Sequence, residues 1–186
     1  YCPPWCATQV LRIDTAAGTA ELIGPDLGPE RDKWRTIISG SDGRFYCPPW
    51  CDSQVLCIDT ARGAVELMAP DFGTGGDKWR RAVKARDGKI YCPPFDAPRV
   101  LRIDPAAHTA EMIGPDLGPR RAKWLAGVLG DTGDIYCPPW CAARVLRIDV
   151  LAADAAAVGP DFGAEECKWR GAARGSGGDV YCPPCC

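Results

Sequence analysis

The feature that most constrains this 186-residue chain is an internal repeat with a period of 45 residues. The tetrad Tyr-Cys-Pro-Pro recurs at this spacing without insertion, beginning at Tyr1, Tyr46, Tyr91, Tyr136 and Tyr181. A period of about 20 to 50 residues indicates a repeat architecture, in which each unit is one supersecondary element that packs against its neighbours. We therefore predict a single domain over residues 1–186, with four repeats and a partial fifth that starts at Tyr181.

Each unit has the pattern of four short strands. In the second unit the predicted strands are 79–85, 90–93, 100–104 and 110–114, and an Asp-Gly pair between the first two indicates a hairpin turn. The double proline ends the second strand, because it removes two consecutive N–H donors. A longer polar connection then leads to the Trp of the next unit. The alanine-rich fourth strand of the last complete unit is predicted to be a degenerate strand rather than a helix.

Four-stranded units joined by short hairpins and one longer crossover are typical of β-propeller blades. The sequence therefore predicts an all-β chain, a small β-propeller of about four four-stranded antiparallel blades. The Trp strand is predicted to be innermost, and the two ends of the chain are predicted to share one blade, which would remove open edges. A non-closing arc, or a ring completed by a second chain, is the alternative.

The segments GKIYCPP, RVLRIDP, AEMIGPDLG and KW together resemble propeller repeats of the NHL and YVTN type. They are more similar still to the repeat arrays with GKIY-x-x-P and VLxIDP motifs in predicted proteins of marine microalgae. The resemblance covers the whole chain and implies the propeller fold, but it implies no activity, since propellers host many functions. It also suggests an accessory subunit docked on a large organellar assembly.

Composition restricts the class of partner. The net charge is -2, so no electrostatic attraction to nucleic acid or to an anionic membrane is predicted. No apolar run approaches the roughly 18 residues of a membrane helix, and a protein partner is predicted instead. The sequence has no initiating Met and no signal-peptide pattern, so we expect a processed, excised or incomplete chain. The sequence does not determine the compartment. A soluble or peripheral protein is expected, and one option is an organellar protein from which a targeting segment has been removed.

Cysteine occupies the second position of the YCPPWC motif in every copy, and we predict a structural role for it as a small buried apolar residue. The sixth position is cysteine in four copies but Asp96 in the third, where Cys92 is nevertheless retained. Disulfides within the motif and zinc binding by thiolates are the alternatives. The cysteines at the second position are Cys2, Cys47, Cys92, Cys137 and Cys182.

Two further repeated positions are predicted to be structural. An aspartate closes each third strand, where its carboxylate can accept N–H groups of the following turn; a calcium-binding carboxylate ring is the alternative. A tryptophan opens each first strand and is predicted to pack between blades, with an aromatic ligand-binding ring as the alternative. These residues are Asp14, Asp59, Asp104 and Asp149, and Trp34, Trp79, Trp124 and Trp169. The Asp and Lys at the two ends of each crossover, such as Asp116 and Lys123, are predicted to form an ion pair.

The aromatic residues that follow the double proline lie in loops, where they are candidates for partner contact; a buried role is the alternative. They are Trp5, Trp50, Phe95 and Trp140.

The sequence predicts no catalytic residues, no cofactor and no metal site, because a triad cannot repeat with one histidine in the chain. Departures from the repeat are few and include Cys57 for Arg and His108 for Gly. The predicted function is a rigid, non-catalytic scaffold for protein–protein contact, with a ligand- or metal-binding propeller that uses the repeated Cys or Asp as the alternative. A lactonase-like hydrolase is a more remote alternative.

Overall fold

The computed structural model describes residues 1–163 and 165–185, and within them all regular secondary structure is β-strand. Every strand pairing is antiparallel. No helix that could span a membrane occurs in these residues. The predicted all-β class is confirmed.

Three complete sheets, here called blades 1 to 3, contain four strands each in chain order. Blade 1 is flanked on its N-terminal side by a sheet of β1 (Val10–Asp14) and β2 (Thr19–Ile23), which is extended by a bridge between Cys2 and Leu11. Blade 1 itself consists of β3 (Ile38–Ser39), β4 (Phe45–Cys47), β5 (Val55–Asp59) and β6 (Ala64–Met68). Blade 2 consists of β7 (Val83–Lys84), β8 (Ile90–Cys92), β9 (Val100–Asp104) and β10 (Thr109–Ile113). Blade 3 consists of β11 (Val128–Leu129), β12 (Ile135–Cys137), β13 (Val145–Asp149) and β14 (Asp154–Val158), and a last sheet of β15 (Ala173–Arg174) and β16 (Val180–Tyr181) follows.

The third and fourth strands match the prediction closely, because each is a short run rich in apolar residues that is bounded by turn residues. In blade 2, Val100 lies opposite Ile113 and Asp104 opposite Thr109. The first strand is shorter than predicted: regular pairing covers only Val83–Lys84, and Trp79 forms an isolated bridge with Pro94. The double proline explains this interruption, since its residues cannot donate an N–H to the neighbouring strand.

The hydrophobic core consists of separate layers between neighbouring sheets. One layer joins blades 1 and 2 and contains Tyr46, Met68, Trp79 and Ile103. A second layer joins blades 2 and 3, and a third joins β1 and β2 to blade 1. The first strands of neighbouring sheets also lie side by side, β7 against β11 and β11 against β15, as expected for inner strands that converge on an axis.

The two ends of the chain form two separate sheets of two strands. Within residues 1–163 and 165–185, no strand pairing joins β1 or β2 to β15 or β16, so the predicted shared blade is not found. Apolar side chains at both ends are exposed accordingly: Leu22 is 60% accessible and Tyr181 is 64% accessible. The described strands form an arc of stacked sheets.

Candidate binding site at the inner edge of the blades

A continuous series of main-chain hydrogen bonds runs along the inner edge of the arc, and we call it the inner belt. The N–H of Trp50 donates to the carbonyl of Lys33 at 2.8 Å, and the N–H of Lys78 donates to the carbonyl of Trp50 at 2.9 Å. The same pattern continues through Phe95, Lys123 and the residues that follow. Each bond joins a post-proline residue to the lysine that precedes an inner Trp, so the loops after the double prolines are held in one register along the arc. In full, the inner belt consists of Trp5, Lys33, Trp50, Lys78, Phe95, Lys123, Trp140, Lys168 and Cys185.

The lysines of the inner belt are held by carbonyl groups of the crossovers. Lys123 is 1% exposed, and its Nζ donates to the carbonyls of Arg120 at 2.9 Å and of Asp96 at 3.3 Å. Burial lowers the pKa of Lys123, and nearby Asp96 partly offsets the effect. The predicted Lys–Asp ion pair is wrong, because the Asp116 carboxylate instead accepts the N–H of Gly118 at 2.8 Å.

The post-proline aromatic side chains form one cluster beside the belt. Trp50 and Phe95 are buried with their ring centroids 5.3 Å apart, and Leu125 packs with them. Trp5 and Trp140 are half-buried at the margins of this cluster. The structure thus brings together the four residues predicted as partner contacts, and only the outer two present substantial area to solvent.

Arginines lie over these aromatic rings. The Arg35 guanidinium carbon lies 5.2 Å from the Trp5 ring centroid and 5.3 Å from that of Trp50. Arg80 lies 5.6 Å from the ring of Phe95 and 5.9 Å from that of Trp50. Cation–π contacts of this kind hold the guanidinium groups in place without neutralising their charge.

Four arginines line one open cavity of about 430 Å³ at the inner edge, together with Thr36 and Ala82. Within the described ranges, none of the four has a carboxylate at ion-pair distance. The pKa of Arg80 is lowered, first by burial and then by repulsion from the other three guanidinium groups. An anion placed in this cavity would relieve that repulsion. We call the cavity the arginine cleft, and its arginines are Arg35, Arg80, Arg81 and Arg170.

The sequence contains a signal for this cleft that no single motif shows. The residue after the inner Trp is Arg35, Arg80 or Arg170 in three copies and Leu125 in the other. A fixed position in successive repeats recurs at one place in successive blades, so these side chains had to lie near one another. Counting charge over the whole chain hid them, because acidic residues elsewhere balance the total.

The repeated cysteines do not converge on one another. Cys47, Cys92 and Cys137 are buried in different blades, and burial raises the pKa of each thiol. Cys2 is exposed and Cys182 is half-buried, and neither these two nor the three buried cysteines form a disulfide. Cys186, at the sixth position of the last copy of the motif, lies outside the described residues.

The repeated aspartates bind their own turns. Asp14 accepts the N–H groups of Ala16 and Ala17, both at 3.0 Å. These bonds lower the pKa of Asp14, with that from Ala17 contributing most. Asp59 and Asp104 accept two turn N–H groups in the same way, and Asp149 accepts one.

The repeated tryptophans lie between blades. Trp34, Trp79 and Trp124 are buried, and Trp169, in the last sheet, is half-buried. Each of the three buried indoles donates its Nε1–H to the carbonyl that precedes the third strand of its blade, at 2.9 to 3.0 Å. These side chains face the interior and do not line the arginine cleft.

No family model and no curated protein matches the chain, but solved structures do. Virginiamycin B lyase from Staphylococcus aureus matches with a TM-score of 0.67 at 14% identity, over 95% of this chain and 56% of the lyase. The extracellular domain of a candidate hybrid two-component system from B. thetaiotaomicron matches with a TM-score of 0.64 at 10% identity, over 94% of this chain and 24% of that protein. The chain is a β-propeller. The narrower resemblance to NHL, YVTN and microalgal repeats stays a prediction.

A third match corrects the expectation about catalysis. A candidate 6-phosphogluconolactonase from Bacteroides uniformis has a TM-score of 0.62 at 14% identity, over 94% of this chain and 56% of that protein. Such identities show the fold alone, and the chain spans only about half the length of the lyase or of the lactonase. The prediction that the chain is not an enzyme is nevertheless contradicted, because the fold it shares is one on which virginiamycin B lyase is built. The absence of a repeated triad excludes only catalysis by identical blades.

Proposed function

We propose that this propeller is a rigid platform that binds an acidic segment of a partner protein in the arginine cleft. The observation that carries the proposal is the set of four guanidinium groups around one cavity, none of them ion-paired within the described residues. A guanidinium presents a planar fork of N–H donors that matches a carboxylate, and such bonds are about twice as strong as those between neutral groups. Asp and Glu side chains of a partner would supply the missing anions.

The aromatic cluster supports a macromolecular partner over a free small anion. Trp5 lies under the cleft residue Arg35, and the aromatic cluster that it shares with Trp140 presents half-buried apolar surface. Trp and Arg are among the residues that most often dominate protein interfaces. A chain with net charge -2 would repel a long polyanion outside the cleft. A short acidic peptide segment satisfies both conditions.

The inner belt supports the rigid character of the platform. It fixes the backbone beneath the aromatic cluster in a single register, so little conformational entropy would be lost by the platform on binding. We propose that the chain serves as an accessory subunit whose cleft docks on a larger assembly.

The test is fluorescence anisotropy with a labelled glutamate-rich peptide at low and at physiological ionic strength. We expect saturable binding that weakens as salt is added, and a loss of about tenfold or more in affinity for Arg80→Gln, from the ~1.5–3 kcal/mol typical of charged hydrogen bonds. Arg170→Gln is the second cleft variant, because Arg170 is exposed and its loss leaves the aromatic cluster intact.

The matched control is Arg62→Gln, which removes the same charge from an exposed turn outside the cleft. Equal loss of affinity in all three variants would mean that only net charge matters. Absence of peptide binding by the wild-type chain at low salt would refute the proposal directly.

A further inference from the structure

Two of the departures from the repeat lie next to each other in space. Cys57 stands in β5 where the other copies have Arg12, Arg102 and Arg147. His108 stands in the turn between β9 and β10 where two other copies have glycine, and it adopts the left-handed conformation with φ of 53°. A non-glycine residue at that φ carries a conformational cost.

The other copies show what the departure at Cys57 removes. In the first sheet, Arg12 pairs across the strands with Glu21, with Nη1 and Oε1 2.6 Å apart. In blade 2, Arg102 pairs with Glu111 in the same manner. Glu66 is the corresponding acid of blade 1 and lies opposite Cys57 in the β5–β6 register. The change from Arg to Cys therefore deprives Glu66 of its cross-strand cation.

His108 takes the free place beside Glu66. It reaches across from blade 2, and its Nε2 lies 3.2 Å from Oε1 of Glu66. One sulfur of Cys57, one oxygen of Glu66 and one nitrogen of His108 all lie within 4.8 Å of one another. Within the described ranges, this is the one group of three such side chains that meets the distance condition for a shared metal ion.

We propose that Cys57, Glu66 and His108 bind one zinc ion between blades 1 and 2. Sulfur, nitrogen and carboxylate oxygen are the donors that Zn²⁺ accepts, and three protein ligands leave a fourth tetrahedral position for water. Metal–ligand distances of about 2.0–2.3 Å place the donors of a tetrahedral site roughly 3.4–3.6 Å apart. The Glu66–His108 distance of 3.2 Å is already close to this spacing. The other two pairs lie within 4.8 Å and need to contract by at most about 1.4 Å, a movement that side-chain rotation supplies.

The surroundings suit a cation that enters from solvent. Cys57 is fully buried, whereas the side chains of Glu66 and His108 are 54% and 38% exposed. Arg44, a cation close enough to act on the Cys57 thiol, is already paired with Asp59 at 3.1 Å and with Asp42 at 3.5 Å. Its charge is therefore compensated, and it leaves the carboxylate of Glu66 available.

The site differs from the metal sites considered from sequence. Those used the repeated cysteines or aspartates, which the structure places singly in separate blades or turns. This one combines the repeated Glu66 with two departures from the repeat, Cys57 and His108. Bound zinc would cross-link two blades through side chains and would add to the free energy of unfolding by the binding energy of the ion.

The experiment is titration of tag-free, reduced protein with Zn²⁺ by calorimetry and with Co²⁺ by absorption spectroscopy. We expect one ion per chain, a cobalt–thiolate charge-transfer band, and a higher unfolding temperature with zinc. His108→Gly should lose at least tenfold in affinity while folding normally, because glycine is the residue that other copies have in this conformation. Cys57→Arg should abolish the cobalt–thiolate band while restoring the Arg–Glu pair found elsewhere.

Cys6→Ser is the matched control, since it removes an exposed thiol that lies in another copy of the repeat and is not one of the three proposed ligands. It should leave the stoichiometry and the cobalt band unchanged. The proposal is overturned if wild-type protein shows no cobalt–thiolate band at saturation, or if His108→Gly and Cys57→Arg bind zinc as tightly as the wild type. Peptide binding in the arginine cleft is a separate measurement and does not depend on this outcome.

Discussion

Replacement of a buried lysine of the inner belt should test how the crossovers are held. Lys123→Met keeps the length of the side chain but removes three donors, which reach the carbonyls of Arg120, Asp96 and Gly118 at 2.9, 3.3 and 3.4 Å. Each of these carbonyls that loses its donor in a partly buried environment costs up to about 1–3 kcal/mol. Relief of the desolvation of the ammonium group offsets part of this loss. We therefore expect the free energy of unfolding to fall by about 2–4 kcal/mol.

Lys168→Met is the matched control for this substitution. Lys168 makes the two equivalent contacts within its own crossover, with the carbonyls of Gly163 at 3.1 Å and Glu165 at 2.7 Å, but the environment is exposed. Water can replace the lost donors there, so we expect a loss below about 1 kcal/mol. Urea unfolding followed by tryptophan fluorescence measures both values. Equal destabilisation by the two variants, or an unaffected Lys123→Met, would refute the idea that carbonyl coordination of a buried ammonium group stabilises the crossover.

Three further predictions follow from burial and hydrogen bonding. Thiol labelling of the native protein should modify the exposed Cys2 and Cys6 quickly but the buried Cys47 and its counterparts in blades 2 and 3 only after unfolding; rapid labelling of every thiol at once would contradict the packing. Trp124→Phe should lower the free energy of unfolding by about 1–3 kcal/mol, because it leaves the partly buried carbonyl of Arg144 without its indole donor at 2.9 Å, and an unchanged urea midpoint would count against it. The pKa of Asp14 is lowered in the folded state, so its ionised carboxylate stabilises the fold at pH values above the ordinary pKa of 3.8, and this contribution is lost as the pH falls through the lower folded pKa. The free energy of unfolding of Asp14→Asn should therefore fall less steeply with decreasing pH than that of the wild type. Identical pH dependence would show that the turn does not contribute.

The strands were predictable because their information is local. Short apolar runs bounded by turn residues, with an Asp-Gly turn before β8, fixed β8, β9 and β10 to within a residue or two. The length of the first strand was overestimated, because its own residues do not show that it lies opposite Pro94, which has no N–H to donate across the sheet. The alanine-rich β14 was predicted correctly from its place in the repeat, although its composition favours a helix.

The candidate sites were less predictable because their partners are distant in sequence or are backbone atoms. Lys123 was expected to pair with a carboxylate, yet its partners are carbonyl groups, which no side-chain pattern reports. Cys57 and His108 were each noticed as departures from the repeat, but their separation of 51 residues is not a multiple of the period. Their proximity depends on how a turn of blade 2 overlaps the outer strands of blade 1.

The inner belt has a consequence for how such a protein can change over time. Its bonds use only peptide groups, so Trp50, Phe95 and Cys185 can occupy equivalent positions in it without altering the spacing of the sheets. The side chains at the inner edge can therefore change without changing the backbone that carries them. Substitutions at positions such as 35, 80, 125 and 170 could change the ligand specificity one residue at a time, while the spacing of the sheets stays the same.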